Sequence, residues 1–391
     1  MKKFLAILVS LVLCFSLLGF SNIYAEESNS QYIRVGLLQR FHQQESINIA
    51  NTSIVVGFDL DGEITALATR TNENGFVVRI LNSQIVIKAN GTPLFAFDEN
   101  IIPIIWDTNG APVSLSSRSY RGMIEFSQRN NRINAINIVD MEEYLYSVVS
   151  SEMPSSWHME ALKAQAVAAR SYTYTRIKMN IEAGLNFDLC DTTMSQVYNG
   201  FEQETENSRY AVNSTRGLMI YFNNEVINAT YFSSSGGVTE NAENVWQEAR
   251  PYFRSVIDTF ETEGRVWQRT ITFSEIQSIL NARNINIGTV QSLSINRNST
   301  NRVGLLIIEG SNGNHILRQE NIRTFFAGTQ GGSLMSRNFT ITNLNGSSVT
   351  FSGRGFGHGV GMSQFGAKGM AEAGFTFDQI LIHYYTGTTI R

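Results

Sequence analysis

The sequence is poor in cysteine, proline and charge. Of its 391 residues, 2 are cysteine, 5 are proline and 16% are charged. Cys14 lies in an N-terminal hydrophobic run, so after removal of that run Cys190 would have no partner and no internal disulfide could form. With 30 basic against 34 acidic residues, the chain lacks the basic excess typical of nucleic-acid binding. We therefore expect a globular protein held by its own core, with no nucleic-acid partner.

Residues 1–25 have the pattern of an export signal. Lys2 and Lys3 precede an uncharged run over 4–20, and Ala25 offers a small residue for cleavage. The run is at the short edge for a membrane-spanning helix, which favours a cleaved signal over a retained anchor. We expect an exported protein that acts outside the cytoplasm, with membrane contact only if this segment is retained as an outward-facing anchor.

Short β-branched runs dominate the first part of the mature chain. They are separated by pairs such as Asn74-Gly75 and Asn90-Gly91, which favour tight turns that need positive φ. We predict a β-rich N-terminal domain over 26–119 and a mixed α/β domain over 120–391, because helical signals appear only in the second part. The predicted fold class is α+β.

Helical signals begin at Asp140, a good N-cap for a helix over 141–149. Ser156 offers the next N-cap, and an alanine-rich stretch predicts a long helix from Trp157 to about Lys178. Later signals predict helices over 273–282, from 362 up to Gly374, and over 377–385, with strands within 286–352.

A carboxylate stands where the first predicted helix gives way to the long one. Glu152 is followed by Pro154, which stiffens the turn. Partial burial would raise the pKa of Glu152, so that it could protonate a leaving oxygen. The alternative is that Glu152 only accepts backbone N–H groups near the start of the next helix.

The long predicted helix carries two cations on one face. Lys163 and Arg170 are one heptad apart, so they differ by only about 20° around the axis. They could bind carboxylates or hydroxyls of a substrate. The alternative is a solvated basic stripe on an amphipathic helix.

Gln196 and Tyr198 alternate in a segment without helical signals, so in an extended conformation they project to one side. They could bind a sugar ring or be ordinary strand residues, and the pattern does not decide between the two. Cys190 and Asp191 lie upstream of them. No histidine or second cysteine is close in sequence, so we predict no metal site there.

Three hydroxyl groups are spaced to share one face of a predicted strand. Tyr231, Ser233 and Ser235 alternate before Gly236-Gly237, which fits a polar groove. The alternative is a polar edge strand. A serine hydrolase is disfavoured, because no nucleophile-elbow motif is present in this segment.

Glycine occupies every second position from 353 to 361. In an extended chain this would strip one face of side chains, so that a ligand or another backbone could approach closely. His358 within this run and Gln364 just after it complete the candidate polar groove. A tightly packed structural corner is the competing interpretation.

Long motifs in the second half of the chain resemble the family of stage II sporulation protein D, which includes the amidase enhancers of bacterial cell walls. The resemblance covers about residues 120–391 and is carried by the stretches Tyr144–Pro154, Glu160–Tyr172, Phe232–Gly237, Gly357–Ala367 and His383–Gly387.

The resemblance implies an exported protein that acts on peptidoglycan. The family members that act as enzymes are lytic transglycosylases, which cleave between N-acetylmuramic acid and N-acetylglucosamine. They leave a 1,6-anhydro end and prefer strands already stripped of peptide. By resemblance, the catalytic residue is Glu152, the helix cations are Lys163 and Arg170, and the groove includes Tyr231, Ser233 and Ser235. The alternative that the family offers is a non-catalytic glycan-binding enhancer of an N-acetylmuramoyl-L-alanine amidase.

Two further expectations depend on this resemblance. Some relatives carry a zinc cluster where this chain has Met194-Ser195, so we expect no structural zinc and no cofactor. A lytic transglycosylase can use one carboxylate, whereas hydrolytic glycosidases usually need two. The acids to check for a second role are Asp188, Asp191 and Glu240.

Overall fold

The computed structural model describes residues 31–391 apart from 61, 117, 183–185 and 247, with only the backbone described at 181–182. The predicted export signal therefore lies outside the described residues. Tyr32–Arg391 form one compact unit. Within the described ranges, no helix combines the length and apolar character that crossing a membrane requires.

The region before the first helix is built of short strands with alternating burial. In β1, for example, Ile33 and Val35 have no exposed surface whereas Arg34 between them is partly exposed. The strands are β1 Tyr32–Gly36, β2 Ser46–Ile49, β3 Ser53–Leu60, β4 Glu63–Thr71, β5 Phe76–Leu81, β6 Gln84–Ala89, β7 Thr92–Phe97, β8 Ile102–Asp107, β9 Val113–Leu115, β10 Arg118–Tyr120, β11 Met123–Arg129 and β12 Arg132–Asp140.

These strands form two sheets. One has the order β1-β12-β11-β8-β3-β4, and the other has the order β10-β9-β2-β5-β6-β7. β11 and β12 form a hairpin, with Arg129 opposite Arg132 across Asn130-Asn131, and both asparagines have positive φ. The first sheet combines strands from both sides of residue 119. The predicted boundary between residues 119 and 120 falls within β10 of the second sheet, and strands from both sides of it are hydrogen-bonded in the first sheet.

Two helices follow directly, α1 Met141–Glu152 and α2 Met159–Glu182. The predicted cap of α1 is confirmed, since Asp140 Oδ1 accepts the N–H groups of Glu142 and Glu143 at 2.9 and 3.2 Å. The long helix starts later than predicted. Trp157 N donates to Pro154 O at 3.0 Å, and this turn uses the residues that would otherwise form the first helical turn.

Helix α2 lies at the centre of the larger hydrophobic core. Ala161, Ala164, Ala168 and Ala169 have no exposed surface, because small side chains let other elements pack closely on every side. It contacts α1 and three later helices. The later helices are α3 Glu206–Ser214, α4 Glu243–Trp246, α5 Phe273–Ala282, α6 Asn321–Thr324, α7 Gln364–Glu372 and α8 Phe377–Tyr384, and those in contact with α2 are α3, α7 and α8.

Short strands connect these helices, and β13 joins the edge of the first sheet in parallel with β1. The later strands are β13 Leu189–Cys190, β14 Ile220–Phe222, β15 Glu225–Val226, β16 Tyr231–Phe232, β17 Val266–Thr272, β18 Val290–Arg297, β19 Val303–Gly310, β20 Gly313–Arg318, β21 Phe339–Leu344, β22 Ser348–Arg354, β23 Met362–Ser363 and β24 Thr389–Ile390. This mixture of helices and sheets confirms the predicted α+β class.

The segment from β17 to β22 has a hydrophobic core of its own, centred on residues such as Trp267, Phe326 and Phe351. It contains two three-stranded sheets, β17-β22-β21 and β18-β19-β20, and helix α5. The strands on either side of it come together, because β16 pairs in parallel with β23, with Tyr231 opposite Met362. That pairing brings the segments of Tyr231 and Gln364 to the C-terminal end of α1, where Glu152 lies.

Candidate functional site around Glu152

Glu152 is the last residue of α1, where the backbone turns extended at Met153 (φ −124°, ψ 140°). Its carboxylate is partly buried and accepts the N–H of Val197 at 2.8 Å. Burial raises the pKa of Glu152, and hydrogen bonds from Val197, Tyr231 and Gln364 oppose that rise. A carboxyl group with a raised pKa and several donors around it can hold a proton and release it to a bound molecule.

A buried glutamine fixes the hydroxyl group of Tyr231. Gln196 Nε2 donates to the Tyr231 hydroxyl at 3.0 Å, while Gln196 Oε1 accepts hydroxyl groups of Tyr144 at 3.2 Å and Thr173 at 2.8 Å. Since the Tyr231 oxygen accepts one hydrogen bond, its own proton is left for Glu152. Gln196 is only 1% exposed, so it positions Tyr231 and is not placed to contact a substrate.

Gln364 approaches Glu152 from the first turn of α7. Ser363 caps this helix by accepting the N–H of Gly366 at 3.1 Å. The buried Gln364 side chain bonds to Glu152 and donates to Gln165 Oε1 at 3.4 Å. The structure therefore brings together Glu152, Tyr231 and Gln364, which lie far apart in sequence.

Tyr198 belongs to the core. Its hydroxyl donates to Asn137 Oδ1 at 2.8 Å, and its ring lies 4.8 Å from that of Tyr144 and 5.8 Å from that of Tyr120. With 2% of its surface exposed, it is not placed to contact a substrate.

The two helix cations have different surroundings. Lys163 Nζ lies 2.7 Å from Glu160 Oε1, and its side chain is partly exposed. Arg170 has no exposed surface, and its Nε and Nη2 atoms bond both oxygens of Glu142 at 2.8 and 2.7 Å. Its remaining donors bond the carbonyl groups of Leu218 and Val212. Arg170 therefore ties α2 to α1 and is not placed to contact a substrate, whereas Lys163 stays a candidate.

The prediction of one long strand that carries three hydroxyl groups is wrong. Only Tyr231 and Phe232 of this segment form a regular strand. Ser234 makes an isolated β-bridge to Phe356, and the chain then turns, with positive φ at Gly236 and Gly237. Ser233 stays partly exposed, and its carbonyl group accepts the N–H of Phe365 at 3.0 Å. Ser235, by contrast, is fully buried and faces away from solvent.

Of the alternating glycines, only Gly353 lies in a strand, near the end of β22. Four of them, at 355, 357, 359 and 361, have positive φ, so the chain bends repeatedly. The backbone of Thr230 nevertheless packs closely against Gly361, because a Cβ at that position would lie 2.1 Å from the Thr230 carbonyl oxygen. This segment is a packed corner that holds the strand of Tyr231.

His358 takes part in this corner. Its Nδ1 accepts the N–H of Val360 at 3.1 Å, and its other nitrogen bonds the carbonyl group of Tyr231. The ring lies 5.4 Å from Phe232 and 5.1 Å from Trp246. Burial and then the charge of Arg323 lower the pKa of His358, so it is a neutral imidazole that supports the backbone of Tyr231.

None of the three acids singled out from the sequence is among the bonding partners of Glu152 in the described ranges. Asp188 accepts the N–H of Arg34 at 2.8 Å, and Asp191 accepts the N–H of Gln39 at 3.0 Å. Glu240 is fully buried and accepts hydrogen bonds from Asn241, Asn244, Asn298, Thr300 and Arg337.

Sequence reasoning missed two acids close to the serine segment. Asp258 and Glu261 lie in a loop without regular structure, so no periodicity marked them. Asp258 is 1% exposed and lies beside the hydroxyl groups of Ser235, Tyr384 and Ser363. Burial raises the pKa of Asp258 from 3.8 to about 6, opposed by those hydroxyl groups and increased by the charge of Glu261.

Replacement of Asp258 by Asn is expected to flatten the pH dependence of stability. The folded-state pKa of Asp258 exceeds the unfolded value, so the folded protein binds the proton more tightly and loses stability as pH rises from about 4 to about 6. The loss is on the order of 3 kcal/mol and persists above that range. Urea unfolding from pH 4 to 8 measures it; a variant as pH-dependent as the wild type would contradict the assignment.

Cys190 lies among hydroxyl groups, 3.3 Å from Thr192 Oγ1 and 3.4 Å from Ser195 Oγ. Across the part of the chain that the structure describes, no three or more His, Cys, Asp or Glu side chains form a group suited to a metal ion. The expectation that this chain has no structural zinc stays a prediction.

Comparison with known proteins gives a consistent result. A family model described as stage II sporulation protein matches residues 129–222, and a domain of unknown function matches 261–361. Over 373 residues the chain is 32% identical to an uncharacterised protein of Brachyspira hyodysenteriae, with 95% of each chain covered.

Two relatives of Bacillus subtilis carry functional names. The chain is 35% identical over 271 residues to stage II sporulation protein D, which covers 66% of this chain and 76% of the relative. It is 30% identical over 326 residues to an amidase enhancer, which covers 71% of this chain and 45% of that longer relative. The chain belongs to the stage II sporulation protein D family.

Proposed function

We propose that this protein is an exported lytic transglycosylase that cleaves peptidoglycan glycan strands, with Glu152 as its catalytic acid and base. The observation that carries the proposal is the single carboxyl group of Glu152, which has a raised pKa and donors from Tyr231 and Gln364 beside it. A role in the bacterial cell wall or in sporulation is also supported by the names of the relatives.

The chemistry needs one carboxyl group. Protonated Glu152 gives its proton to the glycosidic oxygen between N-acetylmuramic acid and N-acetylglucosamine while the bond from that oxygen to C1 breaks. The 6-hydroxyl oxygen of the muramic acid residue forms a new bond to C1, and the Glu152 carboxylate takes the hydroxyl proton. Atoms and charge balance without water, and the product ends in a 1,6-anhydro ring.

The surroundings of Glu152 suit both halves of this cycle. Burial favours the protonated form, whereas the donors Val197, Tyr231 and Gln364 stabilise the carboxylate that follows. Lys163 and Ser233 are partly exposed and would contact the sugars or their substituents. Peptide-stripped strands are the proposed substrate, because a protein of this kind would act after an amidase.

A second candidate is a non-catalytic enhancer that binds glycan and stimulates an N-acetylmuramoyl-L-alanine amidase. The relative named amidase enhancer favours it, with 30% identity over 71% of this chain. In that case Glu152 and Tyr231 would hold a sugar by hydrogen bonds without proton transfer.

Product analysis separates the two candidates. The purified protein without residues 1–25 is incubated with peptide-free glycan, and the products are examined by mass spectrometry for 1,6-anhydromuramoyl ends. We expect such ends to accumulate with time. Glycan binding without new ends, together with faster amidase turnover, would instead support the enhancer.

A further inference from the structure

A second carboxylate, Glu261, accepts five hydrogen bonds. The Ser234 hydroxyl donates to its Oε1, and Ser235 donates to its Oε2 through both N–H and hydroxyl at 2.5 and 2.7 Å. Gly236 N donates to Oε1 at 3.2 Å, and the Ser363 hydroxyl donates to Oε2 at 3.0 Å. One side chain therefore binds two chain segments that are more than a hundred residues apart in sequence.

Both of these segments lead directly to Glu152. Ser234 lies three residues after Tyr231, and Ser363 immediately precedes Gln364. The segments already pair through β16 and β23, but that pairing is only two residues long. Two residue pairs are a weak constraint by themselves, because isolated short strand pairs are marginally stable in water. The charged hydrogen bonds to Glu261 are stronger than neutral ones and lie just beyond the end of the pair.

We infer that Glu261 is a positioning residue, which holds Tyr231 and Gln364 at the distances from which they bond to Glu152. This inference rests on the proposed role of Glu152 and adds a remote determinant of its acidity. Glu261 itself is assigned no contact with substrate.

Other charged and titratable groups face the same cluster, and they limit which variants are informative. The charge of Glu261 raises the pKa of Asp258, and Tyr384 lies beside Asp258. Arg302 is buried behind the serine segment, where it donates to the carbonyl groups of Ser235 and Val238 at 2.6 and 2.7 Å. The Glu261 charge also acts on Arg302. These three residues should stay unchanged when Glu261 is tested.

Glu240 provides a matched control. Like Glu261, it is a carboxylate held by several donors, but those donors include Asn298, Thr300 and Arg337 of the segment that has its own core. Neither segment that leads to Tyr231 or Gln364 donates to its side chain in the described ranges. Glu261→Gln and Glu240→Gln each remove a carboxylate that accepts several hydrogen bonds. Only Glu261→Gln removes contacts to the segments that lead to Tyr231 and Gln364.

The experiment compares Glu261→Gln with Glu240→Gln in the full mature chain. The glutamine amide group keeps only one of the two acceptor oxygens, so at least two of the five hydrogen bonds to this side chain are lost. The pKa of Glu152 is followed by NMR of labelled carboxyl carbons, with Tyr231→Phe as the reference for one lost donor. We expect Glu261→Gln to raise that pKa at least as much as Tyr231→Phe, because lost donors disfavour the carboxylate.

The kinetic part uses peptide-free glycan. Glu261→Gln should lower kcat by about tenfold with little change in KM, since the reacting group and not the binding surface is disturbed. Glu261→Asp, which keeps the charge, should recover part of the rate, and Glu240→Gln should leave the pKa of Glu152 unchanged. If Glu261→Gln does not fold, Ser235→Ala removes one donor of the same contact and should shift the pKa in the same direction.

Either of two results would overturn the inference: an unchanged Glu152 pKa in the folded Glu261 variants, or an equal shift in Glu240→Gln. The NMR measurement needs no catalytic turnover. If the wild type forms no anhydro ends but Glu261→Gln still shifts the Glu152 pKa, the proposed function fails while the positioning role stands.

Discussion

Glu152→Gln is expected to reduce the formation of 1,6-anhydro ends at least ~100-fold, the usual contribution of a general acid or base. The glutamine side-chain oxygen can still accept the N–H of Val197, so the local fold should be kept. The amide group cannot release a proton to the glycosidic oxygen. The rate of new anhydro ends on peptide-free glycan, normalised to folded protein, is the measurement.

Glu143→Gln is the matched control, because Glu143 lies on the same helix and pairs with Arg121 at 3.4 Å, away from Val197. Its rate should stay within about twofold of wild type, as expected for a surface change. If Glu152→Gln cleaves glycan as fast as this control, Glu152 is not the catalytic residue. If both variants and the wild type only bind glycan, the enhancer function gains support.

Arg170→Met should destabilise the protein by about 3–5 kcal/mol, the cost of a buried charge that has lost its partner. Arg170 and Glu142 are both buried and form a two-pronged pair, so removal of the guanidinium leaves the Glu142 carboxylate without its cation. Denaturant unfolding monitored by circular dichroism measures the change. The double variant Glu142→Gln with Arg170→Met removes both charges and should recover much of the loss.

This prediction also separates structure from binding. If Arg170 contacted substrate, Arg170→Met would keep the wild-type unfolding midpoint and raise KM for glycan. If Arg170 and Glu142 form a purely structural pair, less of the Arg170→Met protein folds, and the KM of the folded fraction stays close to the wild-type value. Lys163→Met offers the contrast, because Lys163 is partly exposed and should affect KM more than stability.

Local signals in the sequence located the elements well. Asp140 caps α1 as predicted, and the helix predicted over 273–282 is Phe273–Ala282, with the capping box of Thr272 and Glu275 in place. These features depend on neighbours within four residues, which a single sequence contains. The proximity of Tyr231 and Gln364 to Glu152 was suggested by the family resemblance and by polar character, not by any local pattern.

The errors at the site share one physical cause. Whether a side chain is buried depends on partners that are distant in sequence. Arg170 is predicted from the sequence to bind substrate, but Glu142 of the previous helix and the carbonyl groups of Leu218 and Val212 bind its guanidinium group. Ser235 looked like a groove residue, but Glu261 draws it inward. The alanines around Arg170 were the one signal that could have warned of a buried position, since a helix without a polar face is surrounded by protein.

The short parallel pair of β16 and β23 also constrains when the protein can become active. Tyr231 and Met362 are separated by about 130 residues, so their pairing closes a long loop, and the entropy of that closure must be overcome before the pair forms. During synthesis the residues of the N-terminal sheets and of helix α1 leave the ribosome long before Gln364 does. The segment with its own core can fold in between and shorten the effective loop. A chain truncated before residue 364 would therefore contain Glu152 and Tyr231 but not Gln364, which makes completion of the polypeptide the last step in building the site.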